Sequence, residues 1–313
     1  MPFSSLYLFR YRINLLAETL ISLSPYKGSA LRGVFGYVLK KLVCVTKDKD
    51  CQSCLLRFNC VYAYIFETPI PEVDPDYEKY RNAAHPYIII PPLTKETHID
   101  PETPFSCELI LIGKAHNYLP YFVYAFSEMG KFGLGKRRGK FRLINVEAIY
   151  LDGSRAEIYN SKKETLKLVE NQVSYKDFTN EPLNKDEITL LFETPVRIKE
   201  KGDLLSIYIP FDLLIERLCE RATLLSCYHC GSKERAYKEF LKGADEIKIK
   251  ETSLQWYDWQ RYSRRKGPMK LGGLIGYITY KGNLEKFYPL LKLGEYIHVG
   301  KAVTFGLGKY SLK

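Results

Sequence analysis

The stretch FGLGK stands at residues 132–136 and recurs without change at residues 305–309. Each copy is preceded by an apolar segment that contains a glycine, LPYFVYAFSEMG (119–130) before the first and LEKFYPLLKLG (284–294) before the second. Each copy also runs into a short segment with the composition of a strand. An identical pentapeptide in two matching contexts predicts two related domains, each closed by a glycine-rich loop.

Strand-like and helical segments follow one another in the same order around both copies. The first half offers a strand (6–15), a helix (24–42), a strand (105–113), a helix (118–129) and a strand (141–150). The second half offers a strand from Ile188, a helix after Pro210, a strand (273–280), a helix (284–293) and a last strand (303–312). This order is typical of ferredoxin-like domains in the α+β class. We predict two tandem ferredoxin-like (RRM-like) domains, 1–186 and 187–313, with a cysteine-rich insertion at about 44–104 in the first.

Composition and charge narrow the class of protein. The 313 residues are 46% hydrophobic and 27% charged, which describes a folded chain and excludes a disordered one. The net charge of +11 favours a polyanionic partner such as nucleic acid, although an anionic membrane surface attracts the same charge. The 25 tyrosines add surfaces on which bases can stack, or alternatively fill the core.

The sequence predicts neither export nor a membrane span. Arg10 and Arg12 interrupt the N-terminal segment where a signal peptide would be apolar, and polar residues break the most apolar stretch, 109–126. We therefore expect a cytoplasmic protein. In that compartment the eight cysteines are metal ligands or free thiols, since disulfides are rare there.

Two basic segments are candidates for RNA binding. The first loop surrounds three glycines with Lys136, Arg137, Arg138 and Lys140, which predicts a clamp on the phosphate backbone. The segment WYDWQRYSRRKG (256–267) interleaves aromatic rings with Arg261, Arg264, Arg265 and Lys266. From the second loop we add Gly306, Gly308 and Lys309. The alternative for the first loop is a tight turn with a solvated basic tip. The alternative for 256–267 is a strand whose aromatic face packs in the core and whose basic face is solvated.

A cluster of cysteines points to a metal. The set Cys44, Cys51, Cys54 and Cys60 has the spacing C-x6-C-x2-C-x5-C. Four thiols at this spacing predict structural zinc or, alternatively, an iron–sulfur cluster, and all-thiolate zinc has no open position for catalysis. Four independent apolar side chains are the other interpretation. The pair at Cys227 and Cys230 lacks partners and is expected to pack.

Cleavage of RNA without a metal requires a base, an acid and a cation near the phosphate. Histidine is the side chain that titrates near neutral pH. His298 is our first candidate because Lys301 and the second glycine-rich loop follow it, and His229 is the second. The alternative is that His298 only caps a loop. His98 and His116 have no cluster of functional residues around them in the sequence.

The chain as a whole resembles the CRISPR-associated RAMP endoribonucleases that cut precursor CRISPR RNA within its repeats. The resemblance rests on seven segments, which are LRGV (31–34), CVYAYIFE (60–67), HPYIIIPP (85–92), MGKFGLGKRRGKF (129–141), WYDWQRYSRRKG (256–267), LGGLIGY (271–277) and HVGKAVTFGLGKYSL (298–312). It implies two ferredoxin-like domains and cleavage without a metal or other catalytic cofactor. The implied products carry a 2′,3′-cyclic phosphate and a 5′-hydroxyl.

The resemblance also implies partners and a position for the catalytic residues. Repeat RNA is the expected partner. The resemblance also implies that the protein retains its product and passes it to an effector complex. The oligomeric state is either a monomer or a homodimer. Many members of the family use a histidine near the first helix, often with a tyrosine and a lysine. This chain has Tyr26 and Lys27 there but no histidine, so the assignment moves to His298, with Lys301 or Lys309 to stabilise charge. His229 and the pair Tyr26 and Lys27 are the alternatives. The alternative function is that of a non-catalytic RAMP subunit that binds guide RNA; a metal-dependent nuclease has weak support because the acidic residues are scattered.

Overall fold

The computed structural model describes residues 3–46, 50–74, 83–181, 186–258, 260–263, 267–270 and 272–313, with the backbone alone described for 260–263 and 267–270. The chain divides into two compact units. The N-terminal unit contains residues 7–173 and 228–230, and the C-terminal unit contains residues 1–6, 174–227 and 231–313. No helix within these ranges is long and apolar enough to cross a membrane.

The N-terminal unit is built on a seven-stranded sheet with two helices. Its elements are β1 (Tyr7–Ala17), β2 (Ile21–Ser22), α1 (Gly28–Val43), β3 (Tyr87–Ile90), β4 (His98–Ile99), β5 (Pro104–Ile112), α2 (Leu119–Phe132), β6 (Phe141–Ile149), β7 (Arg155–Asn160), β8 (Thr165–Leu166) and β9 (Gln172–Ser174). A short π-helix, Ala63–Glu67, follows the cysteine-rich segment. Strand β1 lies inside the sheet, between β5 and β6, and its residues alternate between buried and half-buried positions, which suits a strand with one face packed in the core.

The C-terminal unit repeats this plan on a five-stranded sheet. Its elements are β10 (Glu187–Val196), β11 (Lys199–Glu200), β12 (Asp203–Leu204), α3 (Phe211–His229), β13 (Lys248–Thr252), β14 (Gln255–Tyr257), β15 (Gln260–Ser263), β16 (Gly267–Lys270), β17 (Gly273–Lys281), α4 (Tyr288–Ile297) and β18 (Tyr310–Leu312). The last residues of α3 belong to the range grouped with the N-terminal unit.

Both sheets have the strand order of a ferredoxin-like domain. The first has the order β3-β5-β1-β6 and the second β13-β17-β10-β18, so in each unit the first strand lies between the third and the fourth. The pairs are antiparallel. Both glycine-rich loops therefore occupy the same topological position, between the second helix and the last strand of their unit.

Several segments differ from the sequence-based prediction. Residues 87–90, inside the expected insertion, form the edge strand of the first ferredoxin-like sheet, and all four are buried. A continuously apolar strand has no alternation, so its sequence does not show which sheet it joins. The edge strand of the second sheet, β13, was not predicted. The predicted last strand, 303–312, is reduced to β18 because Val303–Phe305 forms a 3₁₀ turn, after which Gly306 and Gly308 adopt positive φ.

Candidate nucleic-acid interface

The first glycine-rich loop, residues 132–140, is a tight hairpin between α2 and β6, and we call it loop A. Leu134 and Gly139 face each other across it, with N–H···O distances of 2.9 and 2.8 Å. Gly133 and Gly135 have φ values of 88° and 73°, a left-handed conformation that glycine adopts without strain. The turn exposes the three side chains at its tip, those of Lys136, Arg137 and Arg138.

Loop A packs against residues 19–23, which connect β1 to the segment before α1. A Cβ atom on Gly135 would overlap the carbonyl oxygen of Ser22, and one on Gly139 would overlap that of Leu20. Backbone meets backbone at both points, so no other residue fits without displacing the chain. The two glycines are therefore explained by close packing within the protein, and they hold loop A against residues 20–22.

Lys140 and Arg138 also make contacts within the protein. The Lys140 main-chain N–H donates to Thr19 Oγ1 at 2.7 Å, and its ammonium donates to the carbonyl oxygens of Phe132, at 3.3 Å, and Lys131. A cation at these carbonyls stabilises the C-terminal end of α2. The Arg138 guanidinium lies 4.8 Å above the centre of the Phe132 ring. Lys140 thus has a structural role, whereas the side chains of Lys136, Arg137 and Arg138 at the tip are exposed to solvent.

The second glycine-rich loop, residues 298–309, differs from the first, and we call it loop B. Gly306 and Gly308 are both buried. A Cβ atom on Gly308 would overlap the carbonyl oxygen of Val299, and the Thr194 hydroxyl donates to the Gly306 carbonyl at 2.9 Å. The glycines of loop B therefore pack inside the C-terminal unit and do not form a surface for a phosphate.

The lysines of loop B have different surroundings. The Lys309 ammonium forms an ion pair with the Glu193 carboxylate, and both side chains are half-buried. Lys301 is exposed, and its main-chain N–H donates to the Arg197 carbonyl at 2.9 Å. Lys301 is thus the exposed lysine of this loop, its predicted catalytic role stays a prediction, and loop B lacks the three consecutive exposed cations of loop A.

The two histidines that the sequence favours for catalysis are buried. His298 is 0% exposed, and its Nδ1 lies 3.2 Å from the Leu307 carbonyl oxygen. His229 is 1% exposed, with Nε2 2.7 Å from the Ala84 carbonyl oxygen and Nδ1 3.1 Å from the Tyr64 hydroxyl. Neither imidazole reaches solvent in this structure. Contact with a phosphate would require its surroundings to rearrange.

Tyr26 and Lys27 lie immediately before α1. Lys27 is 1% exposed, and its ammonium donates to the carbonyl oxygens of Thr94 at 2.6 Å and Pro25 at 3.4 Å. Burial lowers the pKa of Lys27, and the nearby Glu96 carboxylate acts in the opposite direction. Burial raises the pKa of Tyr26 far above its ordinary value. The side chains of both residues are turned into the protein.

The aromatic and basic segment 256–267 is described in part. The Trp256 indole is 39% exposed and donates to the Asp258 carboxylate at 3.0 Å. The predicted RNA-binding residues Arg264, Arg265 and Lys266 lie outside the described residues, and so does the side chain of Arg261. Their role stays a prediction.

The four clustered cysteines line a single cavity of about 350 Å³. The Sγ atoms of Cys44 and Cys54 each lie 3.9 Å from Thr46 Oγ1, and burial raises the pKa of the Cys51 thiol. Across the described ranges, no group of three or more His, Cys, Asp or Glu side chains is arranged to hold a metal ion. The prediction of zinc or an iron–sulfur cluster at Cys44, Cys51, Cys54 and Cys60 is therefore not supported: the thiols share a cavity without converging on one point.

His98 is brought close to loop A by the fold alone. Strands β2 and β4 pair Ser22 with His98 and Ile21 with Ile99. Both isoleucines are buried, whereas His98 is exposed, with Nδ1 3.0 Å from Thr97 Oγ1. A two-residue strand has no periodicity from which the sequence predicts its partner.

Comparisons with known proteins agree with this architecture. Residues 190–310 match the family model for the CRISPR-associated endoribonuclease Cas6, and residues 6–172 match the AF_1859_N N-terminal domain. An uncharacterized protein of Archaeoglobus fulgidus is 26% identical over 295 residues, which cover 93% of each chain. Among solved structures, a Cas6 product complex is similar with a TM-score of 0.58 and 13% identity, covering 98% of this chain and 100% of that one. A partial Cas6-RT-Cas1–Cas2 complex has a TM-score of 0.57 and 18% identity, covering 98% of this chain and 46% of that one.

Two ferredoxin-like domains, one with an exposed cationic loop, define the architecture of the chain, which the solved Cas6 structures share. Over more than half of its length the chain belongs to the family of the AF_1859_N N-terminal domain, and residues 190–310 match the CRISPR-associated endoribonuclease Cas6. The predicted fold and the predicted resemblance to CRISPR repeat-processing proteins are thereby confirmed.

Proposed function

We propose that this protein is a metal-independent endoribonuclease that cuts CRISPR repeat RNA. The observation that carries the proposal is the exposed tip of loop A, where Lys136, Arg137 and Arg138 follow a backbone that packs on residues 20–22. Three adjacent cations suit the phosphates on either side of a cleavage point, because phosphate contacts fix the register of a bound strand. The match of residues 190–310 to the Cas6 endoribonuclease family supplies the reaction class.

The reaction that we propose is an internal transfer at phosphorus. The 2′-oxygen attacks the adjacent phosphorus while a base removes its proton, and the bond from phosphorus to the 5′-oxygen breaks. The products carry a 2′,3′-cyclic phosphate and a 5′-hydroxyl. The guanidinium groups of Arg137 and Arg138 would stabilise the charge on the phosphate oxygens in the transition state.

We further propose that the protein retains its product and passes it to other CRISPR proteins. Two solved structures of similar fold support this, since one is a Cas6 product complex and the other a Cas6-RT-Cas1–Cas2 complex. The strong positive charge of the chain, +11, favours slow release of an RNA product at low salt.

The test is cleavage of end-labelled repeat RNA in excess EDTA, beside a matched RNA with a single 2′-deoxy nucleotide at the cut. We expect one cut in the first RNA, with a cyclic phosphate at the new 3′ end, and none in the second. Cleavage that stops in EDTA, or cleavage of the deoxy RNA, would contradict the mechanism.

A second candidate function is that of a non-catalytic RAMP subunit that binds guide RNA. The burial of His298 and His229 favours it, because neither imidazole reaches solvent. Tight binding of repeat RNA by the wild-type protein with no cleavage under any of these conditions would select this alternative.

A further inference from the structure

Strands β2 and β4, which lie far apart in the sequence, form a two-stranded sheet with an imidazole on its exposed face. Directly opposed residues of an antiparallel pair point to the same side, and successive residues alternate between sides. Ile21 and Ile99 are buried, so the pair formed by Ser22 and His98 occupies the opposite face, where His98 is exposed. The position of this imidazole thus follows from the register of the two strands.

Ser22 connects His98 to loop A. The backbone of Gly135 approaches the Ser22 carbonyl so closely that a Cβ atom would overlap it, and Gly135 directly precedes the basic tip. Ser22 is therefore flanked by His98 on one side, through strand pairing, and by Gly135 on another. The imidazole and the three cations are held by the same short piece of backbone.

Two further hydrogen bonds hold the strand of His98 against the approach to α1. The Leu23 N–H donates to the Thr97 carbonyl at 2.8 Å, and the Lys27 ammonium donates to the Thr94 carbonyl at 2.6 Å. Residues 94–98 therefore run beside residues 22–27. These hydrogen bonds fix the backbone of His98 relative to residues 22–27, and chemistry requires a side chain to be positioned in this way.

The other four histidines of the sequence, all of which the structure describes, are engaged inside the protein. His298 and His229 are buried. His116 stacks on Phe9, with ring centres 3.8 Å apart, and its Nδ1 is 2.7 Å from the Tyr11 hydroxyl. His85 is half-buried, with Nδ1 2.8 Å from Thr68 Oγ1. His98 is the exposed member of the five.

We propose that His98 is a catalytic residue that acts as the general base for the 2′-hydroxyl of the RNA held by loop A. This inference rests on the proposed endoribonuclease function. Because Nδ1 of His98 lies 3.0 Å from Thr97 Oγ1, we assign the other ring nitrogen, Nε2, to the contact with the substrate. Nε2 takes the proton of the 2′-hydroxyl as the bond from the 2′-oxygen to phosphorus forms. The bond to the 5′-oxygen breaks, and that oxygen takes a proton from water; the resulting hydroxide is neutralised by the proton on His98.

The test compares wild-type protein with His98→Ala in single-turnover cleavage of labelled repeat RNA in EDTA. Loss of a general base lowers such a rate by about 10²–10⁴-fold. We expect this loss, an unchanged affinity for the uncleavable 2′-deoxy RNA, and partial recovery of the rate when free imidazole is added. Asp100→Asn is the matched control, because Asp100 is exposed and directly follows β4, and it should cut at the wild-type rate.

The outcomes separate the two proposals. If the wild type cuts and His98→Ala cuts at the same rate, the assignment of His98 is wrong while the endoribonuclease function stands. If the rate falls only because affinity for the deoxy RNA falls in parallel, His98 binds RNA and is not the base. If the wild type binds repeat RNA and never cuts it, both proposals fail. Since His98 is exposed, the variant is expected to fold, which its thermal unfolding curve would verify.

Discussion

Loops A and B share the pentapeptide FGLGK and the same place in two similar domains, but they differ in how far their residues are exposed to solvent. Loop A carries three consecutive exposed cations at its tip, whereas the glycines of loop B are buried. The residues after the shared pentapeptide differ. After the first copy they are RRGK, which continue loop A, and after the second copy they are YSLK, which contain strand β18. The shared glycines therefore serve backbone packing in both units, and the charge that follows them distinguishes a binding loop from a structural one.

The largest effect that we expect from this comparison concerns stability in loop B. Gly308→Ala places a Cβ atom against the Val299 carbonyl at a φ of +69°, and should lower the free energy of unfolding by roughly 3–4 kcal/mol. Gly243→Ala is the control, because Gly243 has a φ of +84° with open space around it, and it should lose only roughly 1–2 kcal/mol. Urea unfolding measures both. Equal losses would show that conformation alone, without close packing, requires glycine in loop B.

The next effect concerns the buried histidine at the start of loop B. His298→Ala removes a fully buried ring and its contact with the Leu307 carbonyl, and should lower the free energy of unfolding by about 2–3 kcal/mol. His298→Asn should lose less, because asparagine tolerates the φ of +58° found there. The measurement pairs thermal unfolding with cleavage of repeat RNA well below the melting temperature. A folded His298→Ala protein that cuts at least 10²-fold more slowly would restore the sequence-based assignment of His298 as catalytic.

A smaller effect is expected for RNA binding by loop A. Replacing Lys136, Arg137 and Arg138 together by alanine should weaken binding of repeat RNA about 10–30-fold and reduce the slope of log affinity against log salt by about 2. Fluorescence anisotropy across a salt titration measures both quantities. The control replaces Lys162 and Lys163, two exposed lysines of the same unit, and should change affinity by less than about twofold. An unchanged salt slope in the triple variant would contradict the phosphate clamp.

The smallest effect is expected for the lysine that ends loop B. Lys309→Met removes the ion pair with Glu193, whose partners are 23% and 29% exposed, and should lower the free energy of unfolding by about 0.5–1 kcal/mol. The affinity for repeat RNA should stay the same. A tenfold loss of affinity with unchanged stability would instead place Lys309 on the RNA, and loop B would then be a binding loop like loop A.

Most helices and central strands of both domains were predicted because each carries its own local signal. Strand β1 alternates between buried and half-buried residues, α2 begins at Leu119-Pro120, and the paired glycines mark turns. Strand β3 was not assigned to the ferredoxin-like sheet, because a continuously apolar strand shows no period. The cysteine spacing predicted a metal, but spacing along a chain does not determine whether four thiols converge in space.

Local sequence thus determined the helices, the glycine turns and the charge at the tip of loop A, since these depend on residues close together in the chain. Burial of His298, the pairing of Ser22 with His98 and the packing of Gly135 on Ser22 depend on contacts between segments that are far apart in the sequence. Such contacts are set by the register of strands and the docking of loops, which no local pattern encodes. The tertiary structure therefore decided which histidines are buried and which one pairs with the strand on which loop A packs.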